Sequence, residues 1–443
     1  MRSLDVHVDH RLVGTLHEGD DIWHFTYDPR WTEAPDGFDL APGLPRSQAT
    51  HVDGGTHRPV QWYFDNLLPE ELLRQAISRE AGIKGDDAFA LLEYLGAESA
   101  GSLTLLPPGQ SLPDTAGLRP LPDEALCRRI AALPRQTLTA NAPKRMSLAG
   151  AQNKLLVVYH DGELYEPVGA AASTHILKPD HPDASTYPAS VSNEFATMRM
   201  AAAAGLSVPA VHHRYVPDPV YIVDRFDRQL LGQRLTEDGL PVLEVRRLHV
   251  IDACQLLNRS RSFKHTGASL EALRSIVERT SNRAHTRLQL FRWLVFNMLV
   301  ANDDCHLKNL SFFVAPEGIK LAPHYDLLAT GAYYTRAIAE ARATWPDVSM
   351  AFALPGATRF GDVTREAALA AGRELGLSLN TARRLLAEAM TGVPLALARE
   401  TSLLEQRHAA APPAAHAYLA AEARLMRVVQ HIIVPDMLER LGR

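Results

Sequence analysis

The sequence has few cysteines and no long uncharged apolar run. Its three cysteines, Cys127, Cys254 and Cys305, are widely spaced, so they form neither a metal-binding motif nor a disulfide framework. Unpaired thiols are typical of a reducing cytoplasm. No apolar stretch approaches the roughly 20 residues of a transmembrane helix, and the first residues lack the apolar core of a signal peptide. We therefore expect a soluble, cytoplasmic protein without a membrane partner.

The sequence also lacks a dominant charge. A formal net charge of −5 and an isoelectric point of about 6.4 do not indicate nucleic acid or an anionic membrane as the primary ligand. Hydrophobic residues make up 46% of the chain, which is enough for a large packed core and excludes global disorder. The length of 443 residues predicts two or three domains.

A Walker phosphate loop and a glycine-rich kinase loop are both missing. In their place, a segment of small residues from Ser147 to Lys154 precedes a predicted strand. Small residues allow backbone N–H groups to approach phosphates closely. The segment is either a plain turn or an unconventional phosphate loop, and its position at the start of a β-rich region favours the phosphate loop.

The clearest functional signal lies between Ala301 and Asn309. Asp304 precedes Asn309 by five positions (309 − 304 = 5), which is the spacing in a protein-kinase catalytic loop. Asp326 follows Asn309 by 17 positions (326 − 309 = 17), just past an apolar run. Transfer of a γ-phosphoryl group needs an Asp that accepts a hydroxyl proton, and an Asn and a second Asp that hold Mg²⁺. The pattern predicts a kinase in which Asp304 is the catalytic base and Asn309 and Asp326 are the metal ligands. The alternative is a polar loop in which these residues only cap and turn the chain.

Two other side chains in this loop have alternative interpretations. His306 with Asp304 would suit a metal hydrolase, but no second histidine stands at ligand spacing in the sequence. Lys308 either neutralises charge on a γ-phosphate or is a surface lysine.

Upstream segments supply the other groups that a kinase needs. Lys178 closes a predicted strand, and Glu194 on the next predicted helix is its natural partner, because such a pair positions the ATP phosphates in kinases. An exposed lysine at a strand end is the alternative. The segment Asp224–Asp227 joins the two predicted lobes, where its backbone would bind an adenine edge or its charges would form a salt-bridged linker.

Hydrophobic periodicity places these segments on a mixed framework of strands and helices. The predicted strands are 4–8, 11–15, 22–27, 154–159, 175–178 and 221–223. The predicted helices start near Pro69, Phe89 and Asp123 or cover 192–204 and 288–299, and Ser190 or Ser192 is the expected N-cap of helix 192–204. From Leu248 onward the sequence is typical of a mostly helical region.

Composition suggests four segments. We predict an N-terminal subdomain at 1–106, a linker at 107–122 with five prolines, a β-rich lobe with the phosphate loop at 123–245, and a helical lobe at 246–443.

Taken in order, these motifs resemble the HipA family, the kinase toxins of bacterial toxin–antitoxin modules. The resemblance extends over nearly the full length of the chain. The segments that carry it are Phe64–Glu70, Ser147–Lys154, His175–Pro179, Asn193–Glu194, Asp224–Asp227, Asn302–Asn309 and Tyr325–Asp326.

The resemblance implies a serine/threonine protein kinase of the α+β class. The implied fold is two-lobed and kinase-like, with a β-rich N-lobe, an extra N-terminal subdomain and a mostly helical C-lobe. ATP and Mg²⁺ are the implied cofactors. The expected ATP contacts are Ala149, Gly150, Ala151, Gln152, Asn153, Lys154, Lys178, Asp224, Arg225, Phe226, His306, Lys308, Asn309, Tyr325 and Asp326. Glu194 supports the site, and Ser147 matches the serine that family members autophosphorylate to inactivate themselves.

The resemblance also implies partners. The usual partner is a HipB-like helix-turn-helix antitoxin, which binds operator DNA. The protein substrate is, by analogy, an aminoacyl-tRNA synthetase, whose phosphorylation stalls translation and promotes persistence. No motif for target recognition can be transferred, so the substrate is inferred by analogy alone.

The chain departs from the family's pattern at two places. Asp303 stands where a threonine is expected and adds a carboxylate beside Asp304. The segment His324–Leu328 is close to the family's but differs from the conventional D-F-G of kinases. Neither departure removes a catalytic group.

Two other functional classes share some of these features. An antibiotic-type phosphotransferase has the same Asp-to-Asn spacing and the later Asp, but typically carries H-G-D at the loop. A non-catalytic corepressor that acts with an antitoxin on DNA would not need the catalytic groups, and all of them are present here.

Overall fold

The computed structural model describes residues 1–111, 116–147, 149–236 and 239–442. The chain forms two compact units. Unit 1 comprises Met1–Lys178, Asp224–Phe263 and Ser311–Ala322, and unit 2 comprises Pro179–Val223, Lys264–Leu310 and Pro323–Arg443. These units are assembled from separate stretches of chain, whereas the predicted division into 1–106, 107–122, 123–245 and 246–443 follows chain order.

Strands occur in both units. Their bounds are β1 Arg2–Val8, β2 Arg11–Gly19, β3 Ile22–Tyr27, β4 Thr50–Val52, β5 Leu103–Leu106, β6 Ala116–Pro120, β7 Leu155–His160, β8 Glu163–Gly169, β9 His175–Pro179, β10 Val211–Tyr215, β11 Pro219–Asp224, β12 Arg228–Leu235, β13 Pro241–Arg247, β14 Val250–Asp252, β15 Ser311–Ala315, β16 Gly318–Leu321, β17 Ser349–Leu354 and β18 Ala357–Arg359.

The longest helices belong to unit 2. The bounds of the helices are α1 Pro29–Thr32, α2 Pro59–Asp65, α3 Glu71–Ala81, α4 Ala88–Leu95, α5 Asp123–Ala131, α6 Ser190–Ala203, α7 Ala253–Leu256, α8 Leu270–Arg279, α9 Arg283–Leu299, α10 Arg336–Ala339, α11 Arg365–Glu374, α12 Leu379–Ala409, α13 His416–Val428 and α14 Val434–Gly442. Among the described residues, no helix has both the length and the hydrophobicity that a bilayer crossing requires.

Unit 1 begins with a five-stranded antiparallel sheet in the order β4-β3-β2-β1-β5. The predicted hairpin of β1 and β2 and the predicted strand β3 are confirmed. Alternate residues of β3 are buried, so Trp23, Phe25 and Tyr27 face the core, where Trp23 contacts Phe89 and Phe25 contacts Phe64. This packing fixes α2 and α4, and therefore the loops that follow these two helices.

A second antiparallel sheet in unit 1 contains β9, β7, β8 and β6 in that order. The turn between β7 and β8 has left-handed φ values at Asp161 (49°) and Gly162 (83°), as the predicted D-G hairpin requires. The prediction of a linker at 107–122 is wrong for Ala116–Pro120, which pairs with β8. Residues 112–115, also within the predicted linker, lie outside the described residues.

Unit 2 is built around α9. Its last ten residues are almost all buried, and an all-round apolar helix belongs in the centre of a domain. Helix α12 packs against both α9 and α6. The predicted N-cap of α6 is wrong: Ala189 occupies the N-cap position with φ 54°, and Ser190 is the first helical residue. The carboxylate of Asp180 instead accepts hydrogen bonds from the N–H of Val191 (2.8 Å) and the hydroxyl of Ser190 (3.2 Å).

The prediction of a mostly helical region after Leu248 is confirmed, since α8, α9 and α11 to α14 predominate there, but short strands also occur. Strands β14, β15 and β16 form an antiparallel sheet of unit 1, and β17 pairs with β18 in unit 2. Strand β15 directly follows the predicted catalytic loop. Its Phe312, Phe313 and Val314 favour strand structure, but five residues are too few to give a distinct periodic signal.

Candidate active site

Asn302 shapes the predicted catalytic loop at the end of α9. Ala301 has a left-handed φ of 53°, which turns the chain out of the helix. The amide oxygen of Asn302 then accepts the N–H of Asp304 (3.1 Å), while its amide nitrogen donates to Asn297 on α9 (2.8 Å). The side chain of Asp304 is 60% exposed, whereas Cys305–Asn309 is buried. The loop therefore presents one carboxylate outward on a rigid base, as a proton acceptor requires.

Asn309 is fixed by a bond to the same loop. It ends the short 3₁₀ turn Leu307–Asn309, and its amide nitrogen donates to the carbonyl of Asp304 (2.8 Å). This bond orients the amide, so the amide oxygen is the atom that can ligate a metal. Mg²⁺ prefers oxygen ligands, so the orientation fits the predicted role.

The segment that carries Asp326 is bonded to the catalytic loop. The hydroxyl of Tyr325 donates to the carbonyl of Lys308 at 2.7 Å. Asp326 has a left-handed φ of 59°, a conformation in which Asp is enriched among residues other than glycine and which is concentrated at functional sites. Before it, His324 is buried and stacked on Trp293. Burial lowers the pKa of His324 to about 3, so this residue is a neutral anchor for the segment.

Helix α6 is bonded to the chain just after Asp326. The side-chain amide of Asn193 accepts the N–H of Ala329 (2.8 Å) and donates to its carbonyl (3.2 Å). Glu194, the next residue on α6, is buried. Within unit 2, the helix that carries Glu194 and the segment that carries Asp326 are therefore fixed together.

A second histidine accompanies His306, contrary to the sequence-based expectation. The ring centroid of His265 lies 4.7 Å from that of His306, and Nε2 of His306 lies 4.0 Å from the carboxylate of Asp304. Potential ligand atoms of the three residues all lie within 4.8 Å of one another. His265 was missed because it lies 41 positions before His306 (306 − 265 = 41), so no local spacing relates the two.

Three further side chains lie in this loop beside the predicted catalytic groups. Lys308 is only 7% exposed, which contradicts its interpretation as a surface lysine. The carboxylate of Asp303 accepts a hydrogen bond from the hydroxyl of Tyr334 (2.8 Å), so the extra carboxylate of this chain is used within the fold. Burial raises the pKa of the Cys305 thiol, with nearby Asp304 and Asp303 adding to the effect, so Cys305 is not a nucleophile.

In unit 1, the predicted phosphate loop is bonded to the N-terminal region at Ser147 and at Gly150. The N–H of Ser147 donates to the carbonyl of Glu98 (2.7 Å), and its hydroxyl donates to the carbonyl of Leu67 (2.6 Å). Further along, the N–H of Glu70 donates to the carbonyl of Gly150 (3.1 Å). Leu148, between these points, lies outside the described residues.

Gly150 is required at its position. Its φ is 111°, and a Cβ atom there would lie 2.5 Å from Nζ of Lys154. That ammonium group donates to the carbonyl of Ala149 (2.6 Å). The lysine therefore closes the loop over the glycine, and Ala151, Gln152 and Asn153, which lie between the bonded residues, are half-buried.

The other predicted nucleotide contacts of unit 1 lie at strand ends. Lys178 is buried near the end of β9, and the carboxylate of Asp224 lies 3.1 Å from Nε2 of His175 at the start of the same strand. Arg225 is occupied within the fold, since its N–H donates to the carbonyl of Thr174 (2.9 Å) and its guanidinium is buried among carboxylates. We therefore assign Arg225 a structural role and keep Asp224 and Phe226 as predicted nucleotide contacts.

The predicted site residues are divided between the two units. Unit 2 contains Glu194, Asp304, His306, Lys308, Asn309, Tyr325 and Asp326, and unit 1 contains Ser147, residues 149–154, Lys178 and Asp224–Phe226. The predicted ion pair of Lys178 with Glu194 joins residues of different units and stays a prediction. Sequence reasoning missed Glu98 and His265. It included Asn302 in the segment Asn302–Asn309 without assigning it a role, although an amide side chain two positions before Asp304 is a turn signal.

Comparison with known proteins gives consistent matches. Residues 146–396 match the HipA-like C-terminal domain, and residues 4–106 match the HipA N-terminal domain. The chain is 34% identical over 417 residues to the protein Y4mE of Sinorhizobium fredii, which covers 90% of this chain and 92% of that protein. It is 31% identical over 354 residues to the serine/threonine-protein kinase toxin HipA of Shewanella oneidensis, covering 75% and 76%.

A solved structure agrees with these matches. HipA of Shewanella oneidensis, in its complex with HipB and operator DNA, superposes with a TM-score of 0.79 and 26% identity, covering 99% of this chain and 97% of that chain. The superposition confirms the predicted α+β, kinase-like fold. Residues 4–106 and 146–396 match models of HipA domains, and the identity to Y4mE extends over most of the chain. The chain belongs to the HipA family.

Proposed function

We propose that this protein is a Mg²⁺- and ATP-dependent serine/threonine protein kinase that acts as a toxin. The observation that carries the proposal is the bond from Tyr325 to Lys308, which fixes the segment of Asp326 to the loop of Asp304 and Asn309. Three groups that phosphoryl transfer requires are thereby held on one bonded framework within unit 2.

Each group has a proposed task. Asp304 orients the substrate hydroxyl and accepts its proton, since its carboxylate is exposed at the turn of the loop. The amide oxygen of Asn309 and the carboxylate of Asp326 hold Mg²⁺, which neutralises charge on the ATP phosphates when bound. Residues 149–154 and Lys178 of unit 1 bind these phosphates. Asp224 and Phe226 contact the nucleotide.

The proposed partners follow from relatives. The solved Shewanella oneidensis structure contains HipA, HipB and operator DNA. We infer a HipB-like antitoxin for this chain as well, with DNA bound mainly through that antitoxin. The proposed substrate is a protein, by analogy an aminoacyl-tRNA synthetase, so that the toxin inhibits translation.

Self-inactivation at Ser147 is part of the proposal. The Ser147 residue is only 2% exposed, and its hydroxyl donates to the carbonyl of Leu67 at 2.6 Å. A phosphoryl group on this oxygen removes the donor and brings negative charge next to a carbonyl oxygen. Phosphorylated Ser147 must therefore leave this position, which would displace the start of the phosphate loop.

The test is incorporation of labelled phosphate. Purified protein is incubated with γ-labelled ATP and Mg²⁺, alone and with a bacterial proteome extract, and the labelled residues are identified by mass spectrometry. We expect label on Ser147, and Asp304→Asn should lower the rate at least about 100-fold, the usual contribution of a catalytic base. Asp303→Asn is the matched control, because Asp303 is bonded to Tyr334, and it should stay within about tenfold of the wild type. The proposal fails if the wild type labels neither itself nor any extract protein, or if Asp304→Asn labels as fast as the wild type.

A further inference from the structure

We propose that Glu98 of the N-terminal domain is a positioning residue for the phosphate loop, an inference that rests on the kinase function proposed above. Glu98 follows α4 and is fully buried, at 0% exposure. Its carboxylate accepts hydrogen bonds from the ammonium of Lys144 (2.9 Å) and the hydroxyl of Ser173 (2.6 Å). The guanidinium groups of Arg225 (3.1 Å) and Arg228 (3.1 Å) donate to the same carboxylate.

These partners come from three segments that the proposed function uses. Lys144 lies three positions before Ser147 (147 − 144 = 3), Ser173 precedes the strand that carries Lys178, and Arg225 lies between Asp224 and Phe226. One buried carboxylate therefore fixes the start of the phosphate loop relative to the strand and the segment that are proposed to bind the nucleotide.

The backbone of the N-terminal domain supports the same loop. The carbonyl of Glu98 accepts the N–H of Ser147 (2.7 Å), and the carbonyl of Leu67 accepts its hydroxyl (2.6 Å). The N–H of Glu70 donates to the carbonyl of Gly150 (3.1 Å) on the far side of the loop. Glu98 thus contributes both a backbone and a side-chain bond to one end of the loop.

The charges show which of these bonds depends on Glu98. Asp227 pairs with Arg225 (2.8 Å) and Arg228 (3.0 Å), so both guanidiniums keep a carboxylate partner if the charge of Glu98 is removed. Lys144 is paired with Glu98 (2.9 Å), and Arg247 approaches the same carboxylate at 3.9 Å. Without that charge, a buried ammonium would face guanidinium groups, and like-charge repulsion would push the Lys144 end of the loop outward.

A release of the loop can be measured without ATP. In the full chain, Lys144 and Arg145 are trypsin sites at the loop's start, and Lys144 is buried, so cleavage there requires local opening. We expect Glu98→Gln to speed native-state cleavage after Lys144 or Arg145 about tenfold or more, as identified by mass spectrometry. The matched control is Glu400→Gln, because Glu400 is also buried and paired with one arginine, Arg199 (2.7 Å), but belongs to unit 2.

The cleavage rates of the two variants distinguish a positioning role of Glu98 from a general loss of stability. Faster cleavage at these two sites in Glu98→Gln and not in Glu400→Gln supports the proposal. Unchanged cleavage in Glu98→Gln, or equal acceleration in both variants, overturns it. If Glu98→Gln yields no soluble protein, Lys144→Met replaces it, and cleavage after Arg145 is expected to rise in the same way. Glu98→Asp keeps the charge and should cleave more slowly than Glu98→Gln.

Steady-state kinetics of the Glu98→Gln variant test whether Glu98 affects the proposed activity. Glu98→Gln should raise KM for ATP about tenfold while kcat changes less than about threefold, because a displaced loop weakens ATP binding more than it changes the chemical step. An active Glu98→Gln variant with an unchanged KM overturns the proposal. If the wild type incorporates no label from ATP, the kinase function fails, but the trypsin comparison still decides whether Glu98 holds the loop.

Discussion

The predicted catalytic loop of unit 2 and the predicted phosphate loop of unit 1 are held by different kinds of bonds. Around Asp304 and Asn309, the predicted catalytic loop is shaped by neutral bonds over short distances in sequence, as from Asn309 to the carbonyl of Asp304 and from Asn302 to Asn297. The phosphate loop is fixed by residues far away in sequence, and one of them, Glu98, is a buried charge with several cationic partners. Neutral amide bonds are individually modest, whereas a buried charge pair that loses one partner is strongly destabilised.

The two kinds of bonds predict different effects of mutation on the two loops. A change of Asp304 itself should alter chemistry and leave most of the fold intact, because its carboxylate is exposed. A change in the support of the phosphate loop should free a whole segment, because several bonds converge on few residues.

The largest effect should come from the metal-binding side of the catalytic framework. Asp326→Asn removes a negative charge from the proposed Mg²⁺ site and should lower phosphoryl transfer at least about 100-fold. Removal of Mg²⁺ by a chelator should abolish transfer in the wild type. The measurement is the rate of labelled phosphate incorporation as a function of Mg²⁺ concentration. Asp347→Asn is the control, since Asp347 is an exposed carboxylate paired with Arg359 in the same unit. A rate above half that of the wild type in Asp326→Asn would remove Asp326 from the site.

A substitution at Gly331, whose backbone lies close to Ala301 of the predicted catalytic loop, should have the next largest effect. A Cβ atom on Gly331 would lie 2.6 Å from Cβ of Ala301 and 2.9 Å from the ring of Trp345. Gly331→Ala should therefore destabilise the protein by about 2–3 kcal/mol through overpacking. Gly117→Ala in β6 is the control, because no atom lies within 4 Å of its added Cβ, and it should change stability by less than about 0.5 kcal/mol. Urea unfolding curves of both variants make the comparison, and equal midpoints would contradict the steric argument.

The same contrast explains what the sequence could predict. The spacing of Asp304, Asn309 and Asp326 predicted the catalytic framework because these residues are close in the chain and their chemistry is specific. The support of the phosphate loop was not predicted, because Glu98 lies 46 positions from Lys144 and 127 from Arg225. No periodicity or spacing relates residues so far apart.

The sequence-based predictions of a helix cap and of a linker were also wrong where tertiary contacts determine the local structure. The cap of α6 comes from Asp180, ten residues before Ser190, rather than from a serine at the helix start. The proline-rich segment at 107–122 was interpreted as a linker, yet Ala116–Pro120 pairs with β8 at the edge of its sheet. Proline is tolerated on an edge strand because one side of that strand needs no ladder bonds.

Mild acid should weaken the segment of Asp326 through His324. Burial lowers the pKa of His324 to about 3, below its ordinary value of 6.5. As the pH falls, the histidine is therefore protonated in the unfolded chain before it is protonated in the folded chain. The contribution of neutral His324 to the free energy of unfolding is present above pH 6.5 and is lost as pH falls toward 3. The loss between pH 6.5 and pH 5 should be about 2 kcal/mol. For Glu98, burial alone would raise the pKa, but Lys144, Arg247, Arg228 and Arg225 hold it well below 4.5, so its contribution is lost only at lower pH.

The variant His324→Phe isolates this effect. Phenylalanine can keep the stacking on Trp293 but carries no titratable group. The loss of unfolding free energy between pH 7 and pH 5 should be about 2 kcal/mol smaller than in the wild type. His416→Phe, at an exposed position of α13, is the control. An unchanged pH dependence in His324→Phe would show that this histidine is not the acid-sensitive group.

The smallest effect comes from a matched pair of hydroxyl groups, one in the phosphate loop and one on the segment that carries Asp326. Ser147→Ala removes a donor to the carbonyl of Leu67 (2.6 Å), and Tyr325→Phe removes a donor to the carbonyl of Lys308 (2.7 Å). Each loss should cost about 1 kcal/mol of stability, measured by urea unfolding. Their functional effects should differ, because Ser147→Ala also removes the proposed phosphorylation site and should prolong activity during incubation with ATP. Tyr325→Phe loosens the segment of Asp326 from the catalytic loop, so it should raise the Mg²⁺ concentration for half-maximal rate and leave self-inactivation intact. If both variants changed the Mg²⁺ requirement equally, the two loops would not have the separate roles that their bonding indicates.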